Sequence, residues 1–219
     1  MVISIDGPAA SGKSTTSRLL ANKLSFKHLN TGIFYRAVTY IFIRDDLFDL
    51  NKESLDDFFN NNILDLRGDN FDMLFLNNIN ISDCLSSDSI NKKIHLISNN
   101  SSIREKLVSM QRTIASDYDI VCEGRDIGSV VFPDAEFKFF LIADIETRAI
   151  RRYEEQNKSN PSLLFDDVKQ ALIDRDFNDT TRSNSPLIKP SDSIEVDTTN
   201  MTIDMQVDYI YKLIKQDIK

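Results

Sequence analysis

The chain has 219 residues, 41% of them hydrophobic, which allows one domain with an insertion or two small domains. Its formal net charge of −8 argues against a nucleic-acid-binding surface, which would need a basic face. The two cysteines, Cys84 and Cys122, show no metal-ligand spacing and no disulfide framework, so a reducing compartment is the simpler interpretation. No stretch approaches about 18 apolar residues and the chain starts directly in a strand, so we expect a cytoplasmic protein without a membrane partner.

The beginning of the chain contains a phosphate-binding motif. Residues 2–5 form a short apolar run that predicts a strand, and residues 15–24 predict a helix. Between them, residues 7–14 read G-P-A-A-S-G-K-S, which fits the P-loop pattern G-x-x-x-x-G-K-[ST]. The glycines let backbone amides curl around a phosphate, and the helix N-terminus adds partial positive charge. We therefore expect Lys13 to reach the terminal phosphates of a nucleotide and the Ser14 hydroxyl to face Mg²⁺.

The next part of the chain predicts a strand, two helices and then a small inserted sheet. The strand covers 26–29, and the helices cover 33–43 and 45–62. Short strands are predicted at 63–66, 73–76 and 79–81. Because the first two of these flank a turn at 68–70, we interpret the three as an antiparallel meander inserted into an α/β chain.

The rest of the chain alternates between helices and strands. Helices are predicted at 89–116 with a break near 99–101, and at 146–156, 165–179 and 201–215. Strands are predicted at 120–123, 137–143 and 193–196. A polar segment with a proline at 157–164 predicts a mobile loop. Outside the meander this gives five strands, so the alternation predicts an α/β fold with a doubly wound, parallel five-stranded sheet flanked by helices.

Glycines and arginines gather where the predicted strands end. Gly7, Gly12, Gly32, Gly124 and Gly128 mark three such ends. Ligands bind at the carboxyl ends of strands in open α/β sheets, so we expect one shared crevice. Phosphoryl transfer needs dense positive charge, and arginine binds phosphate with a fork of two donors. The arginines near these turns or near polar clusters are Arg36, Arg125, Arg175 and Arg182.

Four motifs, in order along the chain, resemble those of bacterial cytidylate kinases. They are the P-loop, N-T-G-I-F-Y-R at 30–36, E-G-R-D-I-G-S-V-V-F-P-D-A at 123–135, and the R-D…D…R pattern at 175–182. They span nearly the whole chain, and the third is the most specific. The inserted meander also matches the bacterial form of this family.

This resemblance implies a reaction and a domain organisation. The reaction is transfer of the ATP γ-phosphoryl group to CMP or dCMP by a P-loop kinase-type fold, with Mg²⁺ as cofactor. The implied segments are a core with the P-loop (1–38), a nucleoside-monophosphate-binding region with the antiparallel insertion (39–100), core (101–145), a helical lid (146–182) and core (183–219). We see no self-complementary apolar surface, so we expect a monomer.

The resemblance also implies two sets of site residues. The ATP phosphates would contact Gly7, Ala9, Ala10, Ser11, Gly12, Lys13, Ser14, Thr15, Arg148 and Arg152, with Arg151 as a further lid arginine. CMP would contact Thr31 and Arg104 near the cytosine, Arg36 and Arg182 at phosphate, Arg175 and Asp179 at the sugar, and Arg125 and Asp126, which position the acceptor. Catalytic roles would fall to Lys13, Arg125, Asp126 and Arg182, with Ser14 as the metal ligand.

The chain departs from the family pattern in several places. Glu123 stands where an aspartate is frequent, and its longer side chain could still orient Mg²⁺-bound water. His95 stands where a small hydroxyl residue commonly helps to read cytosine, so base discrimination is in question. Asn178 and Thr180 replace arginines common in relatives, which predicts a weaker grip of the lid on ATP.

Two other functions are compatible with a P-loop. One is a kinase for another nucleotide or metabolite, and its acceptor profile would reveal it. The other is a nucleotide-binding switch without turnover. A guanine-specific switch would normally carry an N-K-x-D segment after a strand, and the sequence contains none.

Overall fold

The fold is described from a computed structural model that covers residues 1–49, 54–158 and 162–217. The chain divides into two compact units. The first, here called the core unit, comprises Met1–Phe26 and the chain from Ile120 onward. The second, here called the inserted unit, comprises Lys27–Asp119. Among the residues described, no helix is both long and apolar enough to cross a membrane.

Strands and helices alternate along the chain. In the described ranges the strands are β1 (Val2–Asp6), β2 (Lys27–Asn30), β3 (Leu64–Arg67), β4 (Met73–Leu76), β5 (Ile79–Asn80), β6 (Ile120–Glu123), β7 (Phe137–Ile142) and β8 (Ile194–Asp197). The helices are α1 (Lys13–Leu24), α2 (Gly32–Arg44), α3 (Leu55–Asn61), α4 (Asp88–Ser98), α5 (Ser101–Ala115), α6 (Ile145–Asn157), α7 (Phe165–Thr181) and α8 (Ile203–Asp217). A 3₁₀ turn covers Ser82–Ser86, and a π-helical turn covers Ile127–Val131.

The larger sheet has five strands in the order β2-β6-β1-β7-β8, which confirms the predicted fold class. β1 pairs in parallel with β6 and with β7, and β7 pairs in parallel with β8. β1 is the central strand, and every residue of it after Val2 is buried. The carboxyl ends of β1, β6 and β7 lie at one edge, where the segments that follow them can build a ligand site.

Apolar side chains of this sheet and of two helices form the core of the core unit. Ile3, Ile5 and Leu141 of the sheet are fully buried. They pack with Leu20 of α1 and Ile210 of α8. Burial of each such side chain contributes about 1.5–3 kcal/mol, so this cluster fixes the two elements on either side of the P-loop, β1 and α1.

Some elements differ from the predictions in their bounds. α1 begins at Lys13 rather than at residue 15, because Gly12 takes a φ of 94° and the helix starts directly after it. The predicted helix over 45–62 is wrong at its beginning: residues 45–49 are not helical, Asp46 has a φ of 54°, and α3 covers only Leu55–Asn61. Residues 50–53 of that prediction, and residues 159–161 of the predicted mobile loop, lie outside the described residues.

The inserted unit carries the predicted meander. β3, β4 and β5 form an antiparallel sheet in which Leu64 lies opposite Leu76. The amine of Lys27 donates to the carbonyl oxygen of Asp69 at 2.6 Å, which ties the tip of the meander to the start of this unit. α4 and α5 are separated at Asn100, whose side chain accepts a hydrogen bond from the first turn of α5, so the predicted break near 99–101 is confirmed.

Candidate active site

The segment between β1 and α1 has the backbone of a phosphate-binding P-loop. Gly7 and Gly12 have φ angles of 145° and 94°, a region that residues with side chains rarely adopt. A Cβ atom on Gly7 would lie 2.1 Å from the carbonyl oxygen of Leu141, and one on Gly12 would lie 2.8 Å from Oε1 of Gln206. Both glycines are therefore required by the shape of the loop. The loop delivers residues 13–15 to the N-terminus of α1, where free amides favour an anion.

Lys13 lies inside this loop and is buried. Only 4% of its surface is exposed, and its Nζ donates to the carbonyl oxygen of Pro8 at 2.6 Å and to Oγ of Ser11 at 3.4 Å. Burial, and then the positive charge of Arg125, lower the pKa of Lys13 well below its ordinary value. Since a phosphate would favour the charged amine, anion binding at this loop raises that pKa.

Two side chains far along the sequence hold the P-loop in place. Oγ1 of Thr198, which follows β8, donates to the carbonyl oxygens of Ser11 at 3.0 Å and Ile142 at 2.9 Å. Oε1 of Gln206 in α8 accepts from Oγ1 of Thr16 at 2.7 Å. Both side chains are fully buried. Neither residue was predicted from the sequence, because neither belongs to a motif.

The predicted lid arginine Arg148 is engaged inside the protein. It is 8% exposed, forms an ion pair with Asp176 of α7, and donates from Nη1 to the carbonyl oxygen of Ala9 at 3.2 Å. Oδ1 of Asp176 accepts from the backbone amide of Ala9 at 3.4 Å. The amide of Ala9 is therefore bonded to α7 and its carbonyl oxygen to α6. No individual role was predicted for Asp176.

The other two arginines of α6 differ in their partners. Arg151 donates from Nη2 to the carbonyl oxygen of Thr198 at 2.6 Å and from Nη1 to its hydroxyl oxygen at 3.2 Å. Arg152 forms an ion pair with Glu155 at 3.0 Å, and the Glu155 side chain is 68% exposed. An exposed ion pair within one helix contributes little to stability. Arg152 can therefore leave Glu155 and turn toward a phosphate at a lower cost in free energy than Arg151.

A cluster of charges joins the turn after β6 to α7. Nε of Arg125 donates to Oδ2 of Asp179 at 2.8 Å, and Nε of Arg175 lies 3.9 Å from the same oxygen. Nη2 of Arg182 lies 3.6 Å from Oδ1 of Asp126. Burial raises the pKa of Asp179, but the charges of Arg125 and Arg175 outweigh burial and hold that pKa below its ordinary value. These five residues come from two distant segments of the chain and lie together. All five are among the residues predicted to contact the acceptor.

The turn after β6 is also tied to β1, by a buried carboxylate. Oδ1 of Asp6 accepts from the amide of Ile127 at 2.8 Å, and Oδ2 accepts from the amide of Gly128 at 2.7 Å. Burial raises the pKa of Asp6 to about 6, although these two amides act in the opposite direction. A Cβ atom on Gly128 would lie 2.8 Å from Oγ of Ser4, so the turn packs closely on β1. No role was predicted for Asp6 from the sequence.

The residues of the inserted unit that are predicted to contact the acceptor lie at α2 and α5. Thr31 is 4% exposed and immediately precedes α2. Arg36 donates from Nη1 to a backbone carbonyl of the 3₁₀ turn at 2.9 Å. Arg104 is 5% exposed, and its guanidinium lies 5.4 Å from the ring centroid of Tyr35, a residue without an assigned role in the sequence analysis. His95 is exposed in the last turn of α4.

Known proteins resemble this chain over nearly its full length. The sequence model of the family described as "Cytidylate kinase" matches residues 3–216. The cytidylate kinase of Fusobacterium nucleatum subsp. nucleatum is 39% identical over 217 residues, covering 99% of this chain and 98% of that protein. The cytidylate kinase of Chloroherpeton thalassium is 41% identical over 222 residues, covering 97% and 92%. A solved structure of an uncharacterized protein from Eubacterium ventriosum has a TM-score of 0.54 at 14% identity, covering 99% and 98%, and supports the fold alone.

The motifs that carried the resemblance now have a structural counterpart in the core unit. A glycine-dependent P-loop with a buried lysine follows β1, and clustered arginines and aspartates follow β6 and line α7. With a family match from residue 3 to residue 216, the chain belongs to the cytidylate kinase family of phosphotransferases.

Proposed function

We propose that this chain transfers the γ-phosphoryl group of ATP to CMP or dCMP, which produces CDP or dCDP and ADP. The observation that carries the proposal is the arrangement of the core unit: the P-loop with its buried Lys13 follows β1, and the turn after the neighbouring strand β6 carries Arg125 in a cluster of arginines and aspartates. A phosphate-binding loop beside a cluster of positive charge is suited to bringing two phosphates together. Family membership and the names of the curated relatives support a cytidine nucleotide as the acceptor.

On the donor side, the P-loop would hold the ATP phosphates through its backbone amides and the side chains at its end. The proposed contacts are Gly7, Ala9, Ala10, Ser11, Gly12, Lys13, Ser14 and Thr15, with Arg152 and Arg148 from α6. The hydrogen bonds of Lys13 to the loop keep its amine at the position from which it can meet an incoming phosphate. Arg148 would first have to exchange Asp176 for a phosphate oxygen.

The residues present fit a Mg²⁺ ion that is held jointly with the ATP phosphates. Mg²⁺ keeps several water ligands in such sites and needs only one or two protein oxygens. Ser14 is exposed in the first turn of α1, and Glu123 ends β6 in register with Ile5 of β1, next to the edge where the P-loop begins. We propose Ser14 as a direct ligand and Glu123 as a partner for bound water. The ion would neutralise charge on the phosphates.

On the acceptor side, we propose that one set of charges grips the phosphate and another reads the nucleoside. Arg36 and Arg182 would contact the phosphate, Arg175 and Asp179 the sugar hydroxyls, and Thr31 and Arg104 the cytosine, while Arg125 and Asp126 position the whole acceptor. Arg125 is paired with Asp179 and Arg182 with Asp126, and both pairs are shielded from solvent. The acceptor would therefore bind to charges that are already ordered.

The reaction needs no covalent enzyme intermediate. An oxygen of the CMP phosphate is already an anion, so it can attack the γ-phosphorus directly while the bond to the β–γ bridging oxygen breaks and ADP leaves. Lys13, Arg125 and Arg182 would stabilise the charge that spreads over the transferred group, and Asp126 would hold Arg182 in line. Because water can also attack ATP, both nucleotides must be enclosed before transfer.

We further propose that the segment 146–182 acts as the lid that encloses ATP and that 39–100 binds the nucleoside monophosphate. The remaining segments, 1–38, 101–145 and 183–219, would form the core on which these two close. The protein would act as a cytoplasmic monomer without a nucleic-acid or membrane partner, and the net charge of −8 supports the absence of a nucleic-acid partner.

The test is a coupled ADP-release assay with Mg-ATP against CMP, dCMP, UMP, AMP and shikimate in parallel. Turnover with CMP and dCMP alone is the expected result, and comparable turnover of UMP would make His95 the first residue to replace. Lys13→Met should abolish turnover, whereas Lys23→Met on the exposed face of α1 should retain it. ADP release with AMP or shikimate but with no pyrimidine nucleotide would contradict the proposal and favour another small-molecule kinase.

A further inference from the structure

We propose that Asp6 is a positioning residue for the acceptor side of the reaction: its carboxylate fixes the turn that carries Arg125 and Asp126 relative to the P-loop. This inference rests on the proposed function, in which those two residues position CMP. Asp6 itself would touch neither nucleotide, because both of its carboxylate oxygens are already bonded to the backbone of the turn.

Asp6 stands where one side chain joins the P-loop to the turn after β6 at short range. It is the last residue of β1, directly before Gly7 of the P-loop, and it is 2% exposed. Its two oxygens accept from two consecutive amides, at 2.8 Å and 2.7 Å. The first amides of a helical turn have no partner inside the turn, and Asp6 supplies one for each. Two bonds fix the orientation of the turn as well as its position, whereas one bond would leave it free to rotate.

The opposite side of the same turn is tied to α7. Arg125 donates to Asp179, and Asp126 pairs with Arg182. The two residues before the π-helical turn are therefore bonded to α7 and to the residue that follows it, which belong to the proposed lid. Without Asp6, these ion pairs would let the turn follow α7 when that helix moves. With Asp6, the turn stays with β1 and therefore with the P-loop. Asp6 thus keeps Arg125 and Asp126 in a fixed position relative to β1 and not relative to α7.

The electrostatics of Asp6 support a functional reason for this arrangement. Burial raises the pKa of Asp6, and the nearby carboxylate of Asp126 acts in the same direction. A charged Asp6 therefore opposes folding at neutral pH. Groups with perturbed ionisation that are retained inside a site are candidates for a functional role, because stability alone would favour a neutral side chain.

The first test replaces Asp6 by its neutral isostere. In Asp6→Asn, the side-chain NH₂ would face one of the two backbone donors, so one hydrogen bond is lost and the turn loosens. We expect kcat/KM for CMP to fall by about tenfold to a hundredfold, because small displacements of positioning groups carry penalties of this order. The KM for ATP should stay within about twofold, since the glycines that shape the P-loop are unchanged.

The matched control is Ser4→Ala. Ser4 lies on the same strand as Asp6, is fully buried and faces the same turn at Gly128, but it does not bond to the amides of the turn. Its kinetic constants should stay within about twofold of the wild type. An equal rise in KM for ATP and CMP in Asp6→Asn would overturn the inference, because it would mean that Asp6 serves the P-loop instead.

A double-mutant cycle with Asp126→Asn tests whether Asp6 acts through the turn. If it does, Asp6→Asn should cost less in the Asp126→Asn background than in the wild type, whereas independent effects would multiply and contradict the inference. Hydrogen exchange gives a readout that does not depend on CMP turnover: the amides of Ile127 and Gly128 should lose protection in Asp6→Asn and keep it in Ser4→Ala. If the wild type phosphorylates no cytidine nucleotide, the proposed function fails while exchange still decides whether Asp6 holds the turn. An Asp6→Asn variant that is unfolded at the assay temperature would show that the carboxylate is needed for folding, and would equally overturn a positioning role.

Discussion

The P-loop and the turn after β6 leave neighbouring parallel strands at the same edge of the sheet, yet they are held by different means. The P-loop takes its shape from Gly7 and Gly12, whose backbone angles few other residues adopt. The turn is held by the carboxylate of Asp6, 121 positions away from Ile127 in the sequence. The proposed donor side therefore depends mainly on backbone conformation, supported by one buried ion pair between Arg148 and Asp176, whereas the proposed acceptor side depends mainly on charge. Substitutions and pH should therefore affect the two sides separately.

The largest effect is expected at Gly7, where a residue with a side chain does not fit the backbone of the P-loop. Gly7→Ala would place a Cβ atom 2.1 Å from the carbonyl oxygen of Leu141 at a φ of 145°. Because neither strand can retreat without breaking the parallel pairing of β1 and β7, we expect a loss of about 4 kcal/mol or more in the free energy of unfolding. Urea unfolding measures this loss directly, and MgATP should no longer stabilise the folded variant.

Gly32→Ala is the control for this substitution. Gly32 is the first residue of α2, and an added Cβ would meet only Oδ1 of the exposed Asn30, at 3.2 Å. The variant should be as stable as the wild type or more stable by roughly 0.5 kcal/mol. Similar losses for both alanine variants would contradict a special backbone requirement at Gly7.

A smaller effect is expected where charges clamp the P-loop from α6 and α7. Asp176→Asn leaves the buried guanidinium of Arg148 without its counter-charge, so we expect a loss of about 2 kcal/mol in the free energy of unfolding. The KM for ATP should rise several-fold, because both backbone groups of Ala9 depend on this pair. Glu146→Gln removes a more exposed ion pair with Lys169 between the same two helices and should cost less than about 0.5 kcal/mol. Equal costs for the two variants would mean that burial of the Arg148 pair is unimportant.

The pH dependence of stability isolates the charge of Asp6. Folding raises its pKa from 3.8 to about 6, so its contribution to stability is fully present below pH 3.8 and is lost as the pH rises through 6, by about 3 kcal/mol in all. Between pH 5 and pH 8, Asp6→Asn should therefore gain roughly 1.4 kcal/mol of stability relative to the wild type. Urea unfolding of both proteins at the two pH values measures this gain. Asp6 also interacts with Lys13, Asp126 and Cys122. The charge of Asp6 raises the pKa of Lys13, so its removal lowers that pKa and acts in the same direction as the expected gain. A difference that does not change with pH would show that the pKa of Asp6 is not raised.

The sequence predicted the elements whose signal is local. The P-loop, the five strands and the meander follow from glycines, apolar runs and turn residues that are close together in the chain. The order β2-β6-β1-β7-β8 was not predicted, because the strand–helix alternation indicates a parallel sheet but does not tell which strands are neighbours. The predicted helix over 45–62 failed at its start because Asp46 takes a left-handed backbone, for which an aspartate gives only a weak signal.

The contacts that position the site could not be predicted in this way. Asp6, Asp176 and Gln206 each act on a segment that is more than a hundred positions away. Asp6 directly precedes the P-loop and Asp176 belongs to the R-D…D…R pattern, but neither position in the sequence shows which group the carboxylate will bind, and Gln206 lies in no motif. The P-loop pattern itself ended at residue 14, so the side chains that support it from β8 and α8 lay outside the motif. The motif residues could be predicted because their chemistry is local, and their supports could not because three-dimensional packing selects them.

The smallest effect is expected at Thr198, which supports the P-loop as Asp6 supports the turn after β6. Thr198→Val keeps the shape of the side chain but removes the hydroxyl that donates to the carbonyl oxygen of Ser11 in the P-loop. The single hydrogen of this hydroxyl is shared between the carbonyl oxygens of Ser11 and Ile142, and its oxygen also accepts from Nη1 of the half-buried Arg151. Loss of the donated hydrogen bond costs about 1 kcal/mol in the free energy of unfolding. We expect the KM for ATP to rise about threefold while the KM for CMP stays unchanged, the reverse of the pattern expected for Asp6→Asn. Thr199→Val is the control, because that hydroxyl accepts from the amide of Asp144 and not from the P-loop. Parallel changes of both KM values in Thr198→Val would mean that the two sides of the site are not held independently, and the separation between a backbone-defined donor side and a charge-defined acceptor side would then be lost.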